Sequence, residues 1–450
     1  MSGSPSPQTL AQMLLDAAQK AGADAADAIA LSGTSVSVDV REGQLEHAER
    51  AEGQDIGLRV FVGQRVASVS GSDASAETIA QMAERAVAMA QEAPEDPHAG
   101  LADPAQLARS FDSAALELAD PASAPEPALL QSRALAAEEA ARAVPDVTQV
   151  SGASATTSRT DIGVAATNGL SAELTRTGHS VHCTAIAGTG LGMERDHDGD
   201  SRVLFSELRS PEEIGATAGA RAVQRVGARK PPTGRYPVLF DERVATSLIG
   251  HLLAAINGQA IARGASWLLD GVDGPVLPDG IDLIEDPHRP RVAGSRFFDG
   301  EGLPTQRRAL VEDGILRGYL LDLSSARKLG LAPTGNAARG VTGGPSPRAW
   351  NMTLTQGAAR QEALIAQMGT GLLVTYLIGA TINPNTGDYS RGAAGHWVEN
   401  GEIAYPVNQC TIAGNLREML RSLVPANDAR THLSHVVPSL LVSGLTVAGN

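Results

Sequence analysis

The run Lys230-Pro231-Pro232-Thr233-Gly234 divides this chain more firmly than any other feature. Adjacent prolines fix two φ angles and remove two backbone donors, so neither a helix interior nor a central strand can pass through them. On the N-terminal side, Ser210-Pro211-Glu212-Glu213 reads as a capping box that opens a helix running towards Arg229. On the C-terminal side, a short strand over Tyr236–Phe240 leads into one long helix through His251. Two Pro/Ala/Asp-rich stretches, 93–104 and 119–127, have linker composition and mark an earlier break. The 450 residues are enough for two or three domains of roughly 100–200 residues each. The expected division is an α+β unit over 1–120, a central unit of helices and a hairpin over 121–232, and a mostly β unit over 235–450. The fold class is therefore α+β, an α/β N-terminal region followed by a largely β C-terminal domain with one long helix.

Local patterns fill these segments. Ser6-Pro7 reads as a cap with proline in the first turn, and Leu10, Met13, Leu14, Ala17 and Ala18 recur at helical spacing up to Gly22. Val36, Val38 and Val40 alternate as in a strand. Ile56 to Val62 does the same, then turns at Gly63-Gln64 and returns through Val66 to Val69 as a hairpin. A second helix is expected from Ser75 to Pro94 and a third over 128–143. Asn168-Gly169 suits a type I′ hairpin, in which both turn residues take positive φ; Glu312-Asp313-Gly314 and Asn400-Gly401 are further hairpin turns.

Composition narrows the function. With 36 basic against 51 acidic residues the net charge is −15, and no Lys/Arg run concentrates positive charge, so direct nucleic-acid binding is not expected. No apolar run approaches the ~20 residues of a membrane helix, and the first basic residue is Lys20, which lacks the charged start of a secretory signal. Cys183 and Cys410 lie far apart and form no CxxC pair, which fits a reducing compartment; a cytoplasmic location is the expectation.

A zinc peptidase of the helical type needs two histidines about one turn apart, with a glutamate beside the first. The ten histidines, at 47, 98, 179, 182, 197, 251, 288, 396, 432 and 435, include no pair four or five apart, and none is followed by glutamate. His179 and His182 fall in a strand-like run that points them to opposite faces, and His432 and His435 precede a proline-interrupted apolar run, so neither pair is expected to bind metal. Glu194 to Asp200 lacks the EF-hand order and reads as a solvated loop; Gly188 to Gly192 is not GxGxxG and reads as a flexible one. The polar, glycine-rich stretch 379–395 holds Asn383, Asp388, Ser390 and Arg391, groups that could meet a peptide or could form a structural turn with a local ion pair.

Several longer motifs carry a family resemblance. Phe298-Asp299-Gly300-Glu301-Gly302-Leu303-Pro304-Thr305, Ser325-Ala326-Arg327-Lys328-Leu329-Gly330, Gly387-Asp388-Tyr389-Ser390-Arg391-Gly392 and Thr411-Ile412-Ala413-Gly414-Asn415-Leu416 occur in order. They resemble the TldD/PmbA family, in its PmbA (TldE) branch. The resemblance implies a metallopeptidase architecture in which TldD chains carry HExxxH and bind the metal, while TldE chains partner them to cleave extended peptides. Family members are also linked to peptide maturation and to modulation of DNA gyrase. Here the matching helix reads His251-Leu252-Leu253-Ala254-Ala255-Ile256, with Leu252 in place of the base and Ile256 in place of the second ligand. The expectation is a chain that binds no cofactor itself, with no catalytic or metal residue of its own. Zinc would come from a TldD-like partner in a heterodimer. The alternative is a homodimeric peptide-binding or regulatory protein.

Overall fold

The structure is a computed structural model describing residues 5–109 and 112–449. Helix α1 (Pro7–Lys20) starts at Ser6, whose hydroxyl accepts from the Thr9 amide as the local pattern predicts. Strands β1 (Ala25–Arg41), β2 (Gln44–Val62) and β3 (Arg65–Gly71) follow, then α2 (Ala76–Glu92), capped by Ser75. After a segment with little regular structure come α3 (Pro127–Arg142), β4 (Val147–Ala166), β5 (Ser171–Ala187), β6 (Glu194–Arg202) and α4 (Pro211–Gln224). All six strands form one antiparallel sheet, ordered β3-β2-β1-β4-β5-β6, so it draws on both 1–120 and 121–232.

Strand periodicity assigns the two faces of this sheet. Ala26, Ala28 and Ala30 pack with α1 and α2, while Val36, Val38 and Val40 on the same face of β1 pack with α3 and α4. Small side chains let those helices lie close. The opposite face, which includes Asp27 and Arg59, meets the C-terminal domain; a side chain at Gly57 would collide with the Val341 backbone there. Glycine at 57 thus permits close docking.

Beyond the Pro231-Pro232 break lie β7 (Gly234–Phe240), α5 (Glu242–Ala255), α6 (Gly258–Ala262), β8 (Leu283–Glu285), β9 (Arg308–Glu312) and β10 (Ile315–Leu316). Then come α7 (Leu323–Leu329), β11 (Ala337–Ala338), β12 (Ser346–Pro347), β13 (Met352–Leu354), α8 (Gln361–Met368), β14 (Gly371–Ile382), β15 (Asp388–Glu399) and β16 (Glu402–Asn415). The chain ends with α9 (Leu416–Arg421), β17 (Val424–Pro425), β18 (His435–Val436) and β19 (Leu440–Ala448). A mixed sheet ordered β16-β15-β14-β7-β19-β17 and a smaller one ordered β10-β9-β8-β13-β18 share a core with α5. Val238, Leu248, Leu252, Leu372, Val374 and Trp397 are among its buried residues.

Three expectations need correction. The stretch 194–200 is not a solvated loop but strand β6, with Asp196, Asp198 and Asp200 buried at alternating positions. Their carboxylates are held by arginines: Arg209 and Arg221 on Asp198, Arg225 and Arg243 on Asp196, and Arg202 on Asp200, where His432 also lies 3.3 Å away. Buried charge is tolerated when paired, and inward-pointing charges on an edge strand discourage sheet-to-sheet association. His182 faces away from them, and its ring lies where a side chain at Gly199 would be. The second correction concerns the β4–β5 turn, where Gly169 has φ 99° but Asn168 is not in the left-handed region, so the turn is not type I′. Asp313-Gly314 (φ 49° and 76°) and Asn400-Gly401 (φ 53° and 79°) do have positive φ at both positions. At α4, Ser210 caps the Glu213 amide, but the Glu213 carboxylate pairs with Arg209.

Candidate functional site

Helix α5 begins where Asp241 accepts from the Arg243 amide, and its apolar stripe of Ala245, Leu248, Ile249, Leu252 and Ile256 is buried. Leu252 and Ile256 are each 0% exposed, so both positions where the family resemblance places a base and a ligand are core hydrocarbon. His251 lies beside them, half-buried. Its ring meets Tyr389 of β15 edge to face, with centroids 5.8 Å apart. Burial lowers the His251 pKa and the nearby positive charge of Arg391 lowers it further, so the neutral imidazole is favoured. Its Nε2 is buried without a hydrogen-bond partner.

The four residues proposed to meet a peptide do not form one cluster. On β15, Tyr389 and Arg391 share a face by alternation, whereas Asp388 and Ser390 point to the other. Tyr389 is buried, which pushes its phenol up to about 12 against the opposing influence of Arg391. Arg391 also donates from Nε to the Gly379 carbonyl at 2.6 Å. Asn383 is a turn residue whose Oδ1 accepts from the Asn385 and Thr386 amides. Asp388 is exposed and accepts from the Thr386 hydroxyl (2.6 Å) and the Asn415 amide (3.1 Å), bonds that hold its pKa below the usual carboxylate value. The turn holds itself together. Of the four, Arg391 is the one whose charge acts on His251.

Zinc in a peptidase of this kind needs three protein donors and an open position. Of the three motif positions on α5 only His251 is a potential donor, and among the described residues no three His, Cys, Asp or Glu side chains converge to hold a metal ion. The residues present therefore do not fit zinc. Cys410, near the same core, directs its thiol to the Ala393 carbonyl at 3.2 Å.

A second set of polar groups lies between the N-terminal sheet and the C-terminal domain. Asp27 receives Arg59 from the neighbouring strand, with Nε at 2.9 Å, and Arg339 from the C-terminal domain. All three side chains are less than a tenth exposed. Close by, burial raises Glu301 to about 8 and Asp299 to about 6, although Asp299 accepts backbone bonds from Glu301, Leu303 and Ala337. In the sequence, Asp299 and Glu301 stood out only as family signature. Nothing local marked their link to Asp27.

The architecture and the degenerate helix define a metallopeptidase-like α+β protein. Three domain families match in order along the chain: PmbA/TldA metallopeptidase domain 1 at residues 26–90, the central domain at 119–226 and the C-terminal domain at 233–449. Metalloprotease PmbA of Escherichia coli O157:H7 is 37% identical over 427 residues, covering 95% of this chain and 92% of the relative. The PmbA homologue of Haemophilus influenzae is 37% identical over 439 residues, covering 97% and 94%. The chain belongs to the PmbA/TldD family, in its PmbA (TldE) branch. Among solved structures it resembles a putative modulator of DNA gyrase from Bacteroides thetaiotaomicron, with TM-score 0.90, 26% identity and coverage of 98% of this chain and 99% of the other. TldE from Thermococcus kodakarensis shares the fold at TM-score 0.85 and 20% identity, covering 98% and 100%. No helix among the described residues is long and apolar enough to cross a membrane.

Proposed function

We propose that this chain is the non-catalytic, TldE-type subunit of a two-chain metallopeptidase. A TldD-like partner contributes zinc, the activated water and the general base, and the two chains together enclose an extended peptide. The observation that carries this reading is helix α5. Its Leu252 and Ile256 are completely buried in the domain core, so the missing glutamate and second histidine have been replaced by packing residues rather than by other polar groups. Relatedness to the catalytic branch supports a partner: the Haemophilus influenzae TldD homologue is 26% identical over 233 residues. Exposed apolar side chains on β14 and β16, Tyr376, Ile378 and Ile403, are compatible with a covered surface. The test is co-expression with a TldD-like chain, followed by zinc analysis and cleavage of an unfolded peptide. Zinc and cleavage are expected only with the partner present. Cleavage by this chain alone, or a chain that stays homodimeric beside every TldD-like partner, overturns the proposal.

A further inference from the structure

Two cavities run between the N-terminal sheet and the C-terminal domain, and they share Leu174, Arg176, Arg296 and Phe298 in their walls. The larger holds about 510 Å³, within the roughly 300–1,000 Å³ typical of small-molecule sites. Its lining is mainly apolar, with Leu116, Leu118, Leu204 and Phe297 beside the shared residues. The smaller, of about 190 Å³, is bounded by four guanidinium groups, Arg59, Arg176, Arg296 and Arg339, against three carboxylates, Asp27, Asp299 and Glu301.

Arg59 and Arg339 are answered by Asp27. Among the described residues, Arg176 and Arg296 are paired with no carboxylate. Arg176 donates to the Ala293 and Ser295 carbonyls, both at 2.8 Å. Arg296 stacks on Trp350 at 3.6 Å, and its side chain donates from Nε to the Gly294 carbonyl at 3.4 Å. Burial and the neighbouring charges of Arg176 and Arg348 lower Arg296 to about 9, so it stays protonated at neutral pH. Asp299 and Glu285 offset part of this, but Asp299 accepts from three backbone amides and Glu285 is paired with Arg308. Glu301, held up to about 8, is mostly protonated at neutral pH. In a chain of net charge −15, two half-buried arginines without ion-pair partners among the described residues, set at the head of an apolar cavity, form a receptor for an anion.

We propose that this interdomain cleft binds a carboxylate carried on an apolar body, with the carboxylate between Arg176 and Arg296 and the body in the cavity lined by Leu118, Leu174, Leu204 and Phe298. Two sources share that chemistry: the free C-terminal residue of a peptide, and a free medium-chain acid. The site lies wholly within this chain, so the inference stands apart from any partner or peptidase role.

The experiment is calorimetric titration of the isolated full chain with N-acetyl-Leu-Phe as the free acid, its C-terminal amide, decanoate and inorganic phosphate. The acid is expected to bind at least about tenfold more tightly than the amide, as loss of a charge-assisted contact implies. Binding of decanoate alongside the acid assigns the site to any apolar carboxylate; binding of the peptide acid without decanoate assigns it to peptide C-termini. Arg176→Gln can retain the bond to one carbonyl, and with Arg296→Gln it is expected to abolish the acid-over-amide preference. Should Arg296→Gln fail to fold, Arg176→Gln decides. Leu118→Trp, which fills the cavity and leaves both guanidinium groups, is expected to weaken acid and amide alike. Equal binding of acid and amide, phosphate binding as tightly as the peptide acid, or no binding of any of the four overturns the proposal.

Discussion

Replacing Asp27 by asparagine tests whether the contact between the N-terminal sheet and the C-terminal domain is a dry electrostatic link. The carboxylate is 6% exposed and faces Arg59, 9% exposed, and Arg339, 6% exposed. At a charge separation of ~4 Å and an effective dielectric constant of ~20, each pair attracts by about 4 kcal/mol. That gross figure is offset by the cost of burying the carboxylate, which the wild-type chain bears and the variant does not. Neighbouring Glu301 can also ionise in response. The remaining loss is that of stranding two buried cations, about 3–5 kcal/mol. All three tryptophans, Trp267, Trp350 and Trp397, lie in the C-terminal domain, so their fluorescence in urea reports that domain while far-ultraviolet circular dichroism reports the whole chain. In Asp27→Asn the circular dichroism transition is expected to shift to lower urea by more than the fluorescence transition. Replacing all three members, Asp27→Leu with Arg59→Met and Arg339→Met, is expected to recover most of the loss, because no charge is then stranded. An Asp27→Asn change within about 0.5 kcal/mol of wild type would refute the reasoning and show that both guanidinium groups reach water.

Other perturbations probe the same structure. Glu301 binds its proton more tightly folded (about 8) than its ordinary value of 4.5, so its contribution to stability is full below pH ~4.5 and is lost as pH rises through about 8, by about 5 kcal/mol at most. Glu301→Gln is expected to flatten urea midpoints measured from pH 5 to 9; an unchanged slope would contradict this. Leu252→Glu puts an unpaired carboxylate into the α5 core, and should lower stability by about 4 kcal/mol or more without conferring zinc binding, as read by thermal melts and metal analysis. Cys183 and Cys410 are buried and pushed up to about 12 and about 11, so neither should react with iodoacetamide at pH 8 until urea unfolds the chain, as followed by intact mass.

The features legible in the sequence were those decided within a few residues. Ser6 and Ser75 cap helices because a hydroxyl meets an amide three positions on, and Asp313-Gly314 and Asn400-Gly401 turn because both residues accept positive φ. The Asn168-Gly169 turn departed from the same rule because its loop is longer, the strands rejoining only at Ala165 and Ser171. Helix α5 was legible for a similar reason: its stripe and its single histidine are local facts. Charged residues were not. Asp196, Asp198 and Asp200 alternate as residues on one face of a strand do, but the arginines that permit their burial come from 202 to 243. Arg391 reaches the surroundings of His251 only because β15 packs over α5. The link from Asp27 to Arg339 spans 312 positions of sequence. Hydrocarbon is buried wherever a pattern presents it, whereas a charge is buried only where its partner arrives. The interdomain cleft, where Arg59 and Arg339 find a carboxylate and Arg176 and Arg296 form no ion pair among the described residues, follows from the docking of two units whose individual sequences hold no record of the encounter.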